Sequence, residues 1–542
     1  MPTPSDFILR RARIHTLSGQ TGATALAVRS GSIIAIGTES EVAAATRPET
    51  PTFDLGYRVV LPGFTDAHLH WAAFALMRRQ LALDPGWSLA EVQRRVRARA
   101  ADLDPGRWII GRGWDHSHWG QWPTAAELDV AAPHHPVALT RKDGHVMWVN
   151  SKAMELVGLG PHMPDPPGGE IVRTGGLPTG LLKEMAISII HRGIPEPDNV
   201  DRQAAMADAW PDAWAQGITG VHDMGFRTGN LFRDLATMRD AGELGLRFVW
   251  YLMQNDLDEA IGLGLRTGLG DPWLRVGGLK LFLDGTLGSQ TAHMLAPFIG
   301  QPDNTGIAIL DDATFTDLAA RAAQAGIATA AHAIGDAANR KALDGFQAVR
   351  DAQPPQTKPL RQRVEHVQLL DPADIGRFAQ VGVIASMQPI HAMADWETAD
   401  RYWGTRSANG YAWRALLDAG SRLAFGSDAP IESLNVFAGI HAAVTRQTED
   451  GRPGGGWYPR QRIAVAEAIH AYTAGAAWAS GQEDVLGTLA VGKKADLIVL
   501  DRDPFAVPPP ELLAVRVLGT MIEGVWVWQA PDVEFGGPRQ GG

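Results

Sequence analysis

Through the middle of the chain, apolar β-prone runs alternate with helix-length stretches, and this alternation limits the possible folds more than any other feature. The runs are Val59 to Phe64, Ile218 to His222, Arg247 to Met253, Val276 to Leu283, Ile327 to His332, Arg363 to His366, Val383 to Met387 and Leu423 to Ser427. Strands separated by helices predict a parallel sheet, and eight of them close a TIM-like (β/α)8 barrel of the α/β class. Such barrels carry their chemistry where the strands end. Polar residues collect at those ends here: His68 and His70 after the first run, Lys280 in the fourth, His332 and His366 closing the fifth and sixth, and Asp428 after the eighth.

The first and second runs lie about 150 residues apart, where a simple βα unit needs a few tens. A large insertion after strand 1 is expected at about 71–210, leaving from the catalytic face and forming a lid or pocket wall. The two ends of the chain read differently. ALAV and SIIAIG flank Arg29-Ser30-Gly31, and Val515 to Trp528 turns at Glu523-Gly524; both are hairpin patterns. With Gly487 to Leu500 they predict a small β-sandwich built from both termini: 1–60 as its first part, 61–480 as the barrel, and 481–542 as its second part.

Composition narrows the function. With 49 basic and 60 acidic residues the net charge is -11, and no basic block resembles a phosphate-tracking surface, so nucleic acid is not an expected partner. No run of roughly 18 apolar residues appears, and the N-terminal MPTPSDFILRRARIHTLSG lacks the apolar centre of a signal peptide. A cytoplasmic protein with no membrane partner is the expectation. The chain has 0 cysteines, so any metal is held by nitrogen and oxygen.

Residues two apart on a strand point the same way, so His68 and His70 can aim two imidazoles at one divalent ion. Four histidines, a lysine and an aspartate at strand ends suit two hydrolytic ions sharing a water. One ion takes His68, His70 and Asp428; the other takes His332 and His366, with Lys280 between them. A lysine joins such a site only if neutral and modified, and carboxylation by carbon dioxide makes it a bridging anion. The pKa of bound water is lowered to about 7, and Asp428 takes its proton and passes it to the leaving nitrogen.

The motifs PGFTDAHLH (62–70), KLFLDGTLGSQTA (280–292), AHAIGDAANR (331–340), VEHVQ (364–368), MQPIH (387–391) and GSDAP (426–430) together resemble the amidohydrolase superfamily. The resemblance is strongest to its YtcJ-like and N-substituted formamide deformylase-like branch. DGHVMWVNS (143–151) and GKKADLIVLD (492–501) extend it to the insertion and the closing sheet. It implies a barrel with a terminal β-sandwich, one or two divalent metals, zinc foremost, and hydrolysis of an amide, formamide, carbamate or urea C–N bond by attack of a metal-bound hydroxide. His68, His70, His332, His366 and Asp428 are the implied ligands, with Asp428 also the acid/base. Lys280 lies in the fourth strand with Leu281 to Leu283 after it, so a bridging carbamate and an unmodified lysine beside one ion both stay open. Deaminase-type relatives need a glutamate where this chain has Gly335, which argues against deamination.

Beyond the ligands, His145 is expected to bind the substrate carbonyl as a catalytic residue. Gln388 and His391 are expected to orient substrate, and His222 to pack or to support a ligand. His116 and His118 lie in a Gly- and Trp-rich loop and His134 and His135 precede a proline, so none is expected to bind metal. Trp114, together with Trp119, Trp122 and Trp148, points to an apolar or aromatic small molecule as substrate. A homodimer fits the resemblance. Two rivals remain: an ester or lactone hydrolase at the same metals, and a non-catalytic barrel with a structural or regulatory role, which predicts missing ligands.

Overall fold

A computed structural model describes residues 6–225, 230–354 and 359–535. The chain divides into two compact units, Met1–Trp71 with Ala207–Gly542, and Ala72–Met206.

Eight parallel strands form the centre of the first unit, paired in chain order: Phe64–Leu69, Ile218–Asp223, Arg247–Met253, Leu274–Phe282, Thr329–Ala333, Arg363–His366, Ile384–Met387 and Leu423–Phe425. Their residues are buried on both faces, as strands enclosed by helices require. The helices explain themselves locally. Asp312–Gln324 starts at an N-cap, Asp311, whose side chain accepts from Thr314 N, and buries Phe315, Leu318, Ala319, Ala322 and Ala323 at three- and four-residue spacing. Pro372–Val381 is capped by Asp371, begins on proline and ends at Gly382 in the left-handed region. The outer strands meet where chemistry is expected: Asp428 N donates to His68 O at 2.7 Å and His70 N to Ala429 O at 2.8 Å. The sheet is a TIM-like barrel.

The first barrel strand differs from the expectation of Val59 to Phe64. Val59 and Val60 belong to Thr52–Pro62, which pairs with Phe7–Ile14 on one side and Leu497–Leu500 on the other. Pro62 has no N–H to extend a ladder, and Gly63 passes so close to Thr219 that a β-carbon would collide with it. The barrel strand begins only at Phe64. His68 is therefore inside the strand, and His70 follows it.

The terminal strands form one seven-stranded sheet, Val525–Gln529, Val517–Ile522, Leu497–Leu500, Thr52–Pro62, Phe7–Ile14, Ala25–Arg29 and Ser32–Gly37, which folds back on itself so that Phe53 meets Trp526 and the Gly31 turn meets Glu523. Leu9, Leu26, Val60, Leu497, Val499 and Met521 share its core. Both hairpins turn through two consecutive left-handed residues, Ser30-Gly31 and Glu523-Gly524, which match the twist of paired strands. Asp496, in the closing motif, accepts Arg247 Nε at 2.6 Å and Nη2 at 2.9 Å, a buried bidentate pair that joins this sheet to the third barrel strand.

The second unit has its own six-stranded sheet, ordered Gly169–Thr174, Leu177–Glu184, Val146–Val149, Val137–Arg141, Ile109–Trp114 and Leu81–Ala82. Leu128, Leu139, Trp148 and Leu181 belong to its core. No helix of the described residues is long and apolar enough to cross a membrane.

Candidate metal centre

His68, His70 and Asp428 converge where the first and eighth strands end. His70 Nε2 lies 3.2 Å and His68 Nε2 3.5 Å from Asp428 Oδ1. Neither His68 Nε2 nor Asp428 Oδ1 is satisfied by a hydrogen bond, although both are buried. His366, His391 and Asp428 form a second convergent group, with His391 Nε2 3.7 Å from Asp428 Oδ2. Four imidazoles crowd together: the His366 ring centre lies 4.4 Å from that of His332, 4.8 Å from His68 and 6.1 Å from His391. Buried lone pairs that face each other without donors are costly unless a cation joins them. The residues fit a divalent ion held by nitrogen and oxygen.

His68 and His70 are held from behind. His70 Nδ1 lies 2.6 Å from Gly225 O, and His68 Nδ1 2.6 Å from Glu365 Oε2, so the Nε2 atoms are left to face the centre. Burial, with the Lys280 charge adding to it, brings His68 down to about 4. Burial also brings His332 down to about 3 and holds His366 well below the ordinary range. These rings are neutral, as ligation requires. Burial alone would raise Asp428, but the imidazoles of His68, His70 and His391 packed around it hold it well below the usual carboxylate range.

Backbone strain accompanies these candidate ligands. His366, Val367 and Asp428 occupy left-handed conformations, at φ 74°, 48° and 61°. Each costs on the order of 1–3 kcal/mol, and the β-branched Val367 is the least suited to it. Surrounding hydrogen bonds impose the conformation. Asp66 accepts from His68 N at 3.1 Å and Ser427 N at 3.0 Å, tying the first strand to the eighth. Burial pushes Asp66 up to about 7 against the pull of those N–H groups. Gly426 fits between them only because it lacks a side chain: a β-carbon would collide with His68 N and sit 2.6 Å from Asp66 Oδ1.

The other expected residues fall in two sets. Lys280 is 1% exposed, its Nζ has no hydrogen-bond partner and lies 4.9 Å from the Phe282 ring centre, and burial brings it down to about 8. His332 lies beside His366, but its Nε2 is 3.1 Å from Gly285 O and 3.5 Å from Asp284 Oδ1, outside both convergent groups. His391 occupies the second group where His332 was expected. Gln388, also buried, has an unpartnered Nε2 at the start of the helix Pro389–Trp403 that carries His391. Gly335 is fixed by packing, since a β-carbon there would strike the His293 carbonyl. His145 and Trp114 belong to the second unit. His145 is exposed, with Nδ1 3.0 Å from Glu184 Oε2, which raises its pKa. Trp114 departs from its expected substrate-binding role: it is fully buried, stacks on Trp119 at 5.8 Å and donates to Leu139 O, which leaves no ring face for a ligand.

Sequence reasoning passed over Asp66, Asp284, Arg363 and Glu365. Their signal was a charge inside an apolar strand or directly after it, as in Arg363-Val-Glu365-His366.

The sequence model described as the Amidohydrolase family matches residues 52–528. The N-substituted formamide deformylase of Arthrobacter pascens is 30% identical over 540 residues, covering 96% of this chain and 98% of its own. Protein LONG AFTER FAR-RED 3 of Arabidopsis thaliana is 31% identical over 535 residues, 96% of this chain and 91% of its own. A crystal structure described as an uncharacterized metal-dependent hydrolase from Pyrococcus horikoshii OT3 superimposes with a TM-score of 0.79 at 28% identity, over 93% of this chain and 99% of that one.

Proposed function

Because the chain belongs to the amidohydrolase family, we propose that its metal-dependent hydrolysis is directed at a C–N bond of the amide, N-substituted formamide, carbamate or urea type. The observation that carries this reading is the convergence of buried imidazoles, His68 and His70 among them held from behind, on an anionic Asp428, a set competent for metal-assisted hydrolysis. Similarity to the formamide deformylase over nearly both whole chains supports the bond type.

His68, His70 and Asp428 would hold one ion, and His366 with His391 or His332 a second. Zinc is the proposed metal, in keeping with an all-nitrogen-and-oxygen donor set. When bound, the ion supplies Lewis acidity toward a water and the scissile carbonyl. Asp428 Oδ2 is the proposed proton carrier, taking a proton from the attacking water and delivering it to the leaving nitrogen. Gln388 and, where it is not a ligand, His391 would orient substrate from the end of the seventh strand. Lys280, buried and without a hydrogen-bond partner, is the residue that would carry a bridging carbamate if two ions bind.

The test is hydrolysis of N-substituted formamides, simple amides, carbamates, ureas and matched esters by chelator-treated protein, before and after zinc is restored. Zinc-dependent turnover of at least one C–N substrate is expected. Zinc-dependent turnover of esters alone would overturn the assignment of the bond.

A further inference from the structure

The barrel interior beneath the imidazoles holds a buried ion pair that the proposed chemistry does not use. Arg363 and Glu365 alternate on the sixth strand, so both side chains point into the barrel. Both are fully enclosed, at 1% and 0% exposure. Arg363 Nε donates to Glu365 Oε1 at 2.8 Å and its Nη2 to Oε2 at 3.1 Å. The guanidinium also donates to Ala67 O at 2.7 Å, Ser386 Oγ at 2.7 Å, Tyr251 Oη at 3.0 Å and His222 Nδ1 at 2.8 Å. Glu365 Oε2 then meets His68 Nδ1 at 2.6 Å.

We propose that Arg363 and Glu365 are positioning residues that fix His68 as its Nδ1–H tautomer and aim its Nε2 at the metal. An ionised carboxylate only accepts hydrogen bonds, so the proton between Glu365 and His68 belongs to Nδ1. Six hydrogen bonds from a rigid guanidinium to the first, second, third, sixth and seventh strands fix where Glu365 stands. His222 completes the chain, accepting from Arg363 through Nδ1; this gives a function to a histidine on a strand that contributes no ligand. A buried ion pair of this kind adds little net stability compared with an apolar pair. Its geometric effect on His68 is the more specific reason for its presence.

The inference rests on His68 being a metal ligand, and the experiment separates the two claims. Zinc affinity is measured by chelator competition for the wild type, Glu365→Gln, Glu365→Leu and the doubly neutral Arg363→Gln/Glu365→Gln. The double variant leaves no unpaired buried charge and guards against misfolding of the single ones. In parallel, the metal-free proteins are labelled with 15N-histidine to read the tautomer of His68. The expected result is a wild-type Nδ1–H signature and a zinc Kd roughly 10-fold weaker in Glu365→Gln and the double variant and about 100-fold weaker in Glu365→Leu. Loss of the tautomer signature in the leucine variant is also expected. Tight wild-type binding with unchanged Kd in folded variants, or an Nε2–H signature in the wild type, would overturn the positioning role alone. Absence of zinc binding by the wild type would overturn the metal reading and this role together.

Discussion

Asp428 stands where the two convergent groups meet, which makes it the most informative single residue. Asp428→Asn removes its charge and its ability to carry a proton while keeping its shape, and kcat should fall by about 10² to 10⁴ with the fold retained. Steady-state kinetics checks this, and unchanged turnover would remove Asp428 from the chemistry. Two residues before it, Gly426 tests the backbone that presents the ligand. Gly426→Ala forces a methyl group against His68 N and Asp66, and overpacking of this kind costs about 1–3 kcal/mol. Urea unfolding should show that loss together with weaker metal binding. A midpoint equal to wild type would show that the close approach of the two strands is not needed. The residues that converge here were readable because histidine and aspartate at strand ends stand out against apolar runs. Asp66 was not, since its role depends on reaching N–H groups of Ser427, a residue 361 positions away.

Among the elements, the barrel strands were legible because strands buried on both faces leave unbroken apolar runs. The first was displaced for the same reason: Val59 to Phe64 is one unbroken apolar stretch, and only the missing N–H of Pro62 and the contact at Gly63 divide it between two sheets. The insertion was visible as a gap in the alternation, and Ala72–Met206 form a compact unit of their own. Its tryptophans were misread in part, because a strand pattern does not say which ring faces are covered; Trp114 is covered on every side. The junction between the terminal sheet and the barrel makes a prediction of its own. Asp496→Ala strands Arg247, 3% exposed, without its bidentate partner. Removing one member of a buried pair costs about 3–5 kcal/mol. Chemical denaturation should show it, and a change under 1 kcal/mol would mean that the sheet is held to the barrel by apolar packing instead.

For the whole molecule, the buried imidazoles set a dependence of stability on pH. His68 and His332 are held neutral, down to about 4 and about 3, by burial first and by the Lys280 charge second. Unfolding frees them to protonate at their ordinary value of 6.5. Below that pH these two sites, together with the similarly depressed His222 and His366, bind more protons unfolded than folded, so their stability is present above 6.5 and is lost as pH falls toward 4. Asp66 and Asp284, raised by burial to about 7, act in the opposite sense and are outnumbered. Each such histidine contributes about 1.4 kcal/mol per pH unit across this window. Thermal melts of chelator-treated protein from pH 7.5 to 4.5 should show Tm falling steadily below about 6.5. A flat profile would mean that these rings are not held neutral. Function was legible only as far as chemistry is local: histidines and an aspartate at strand ends point to a metal-dependent reaction, while the bond cleaved depends on surfaces drawn from distant parts of the chain. The most direct measurement is therefore elemental mass spectrometry on wild type and His70→Ala purified without chelator. At least one divalent ion per wild-type chain, lost or sharply reduced in the variant, is the expected result. No divalent metal in the wild type, even after incubation with zinc, would contradict a metal-dependent hydrolase.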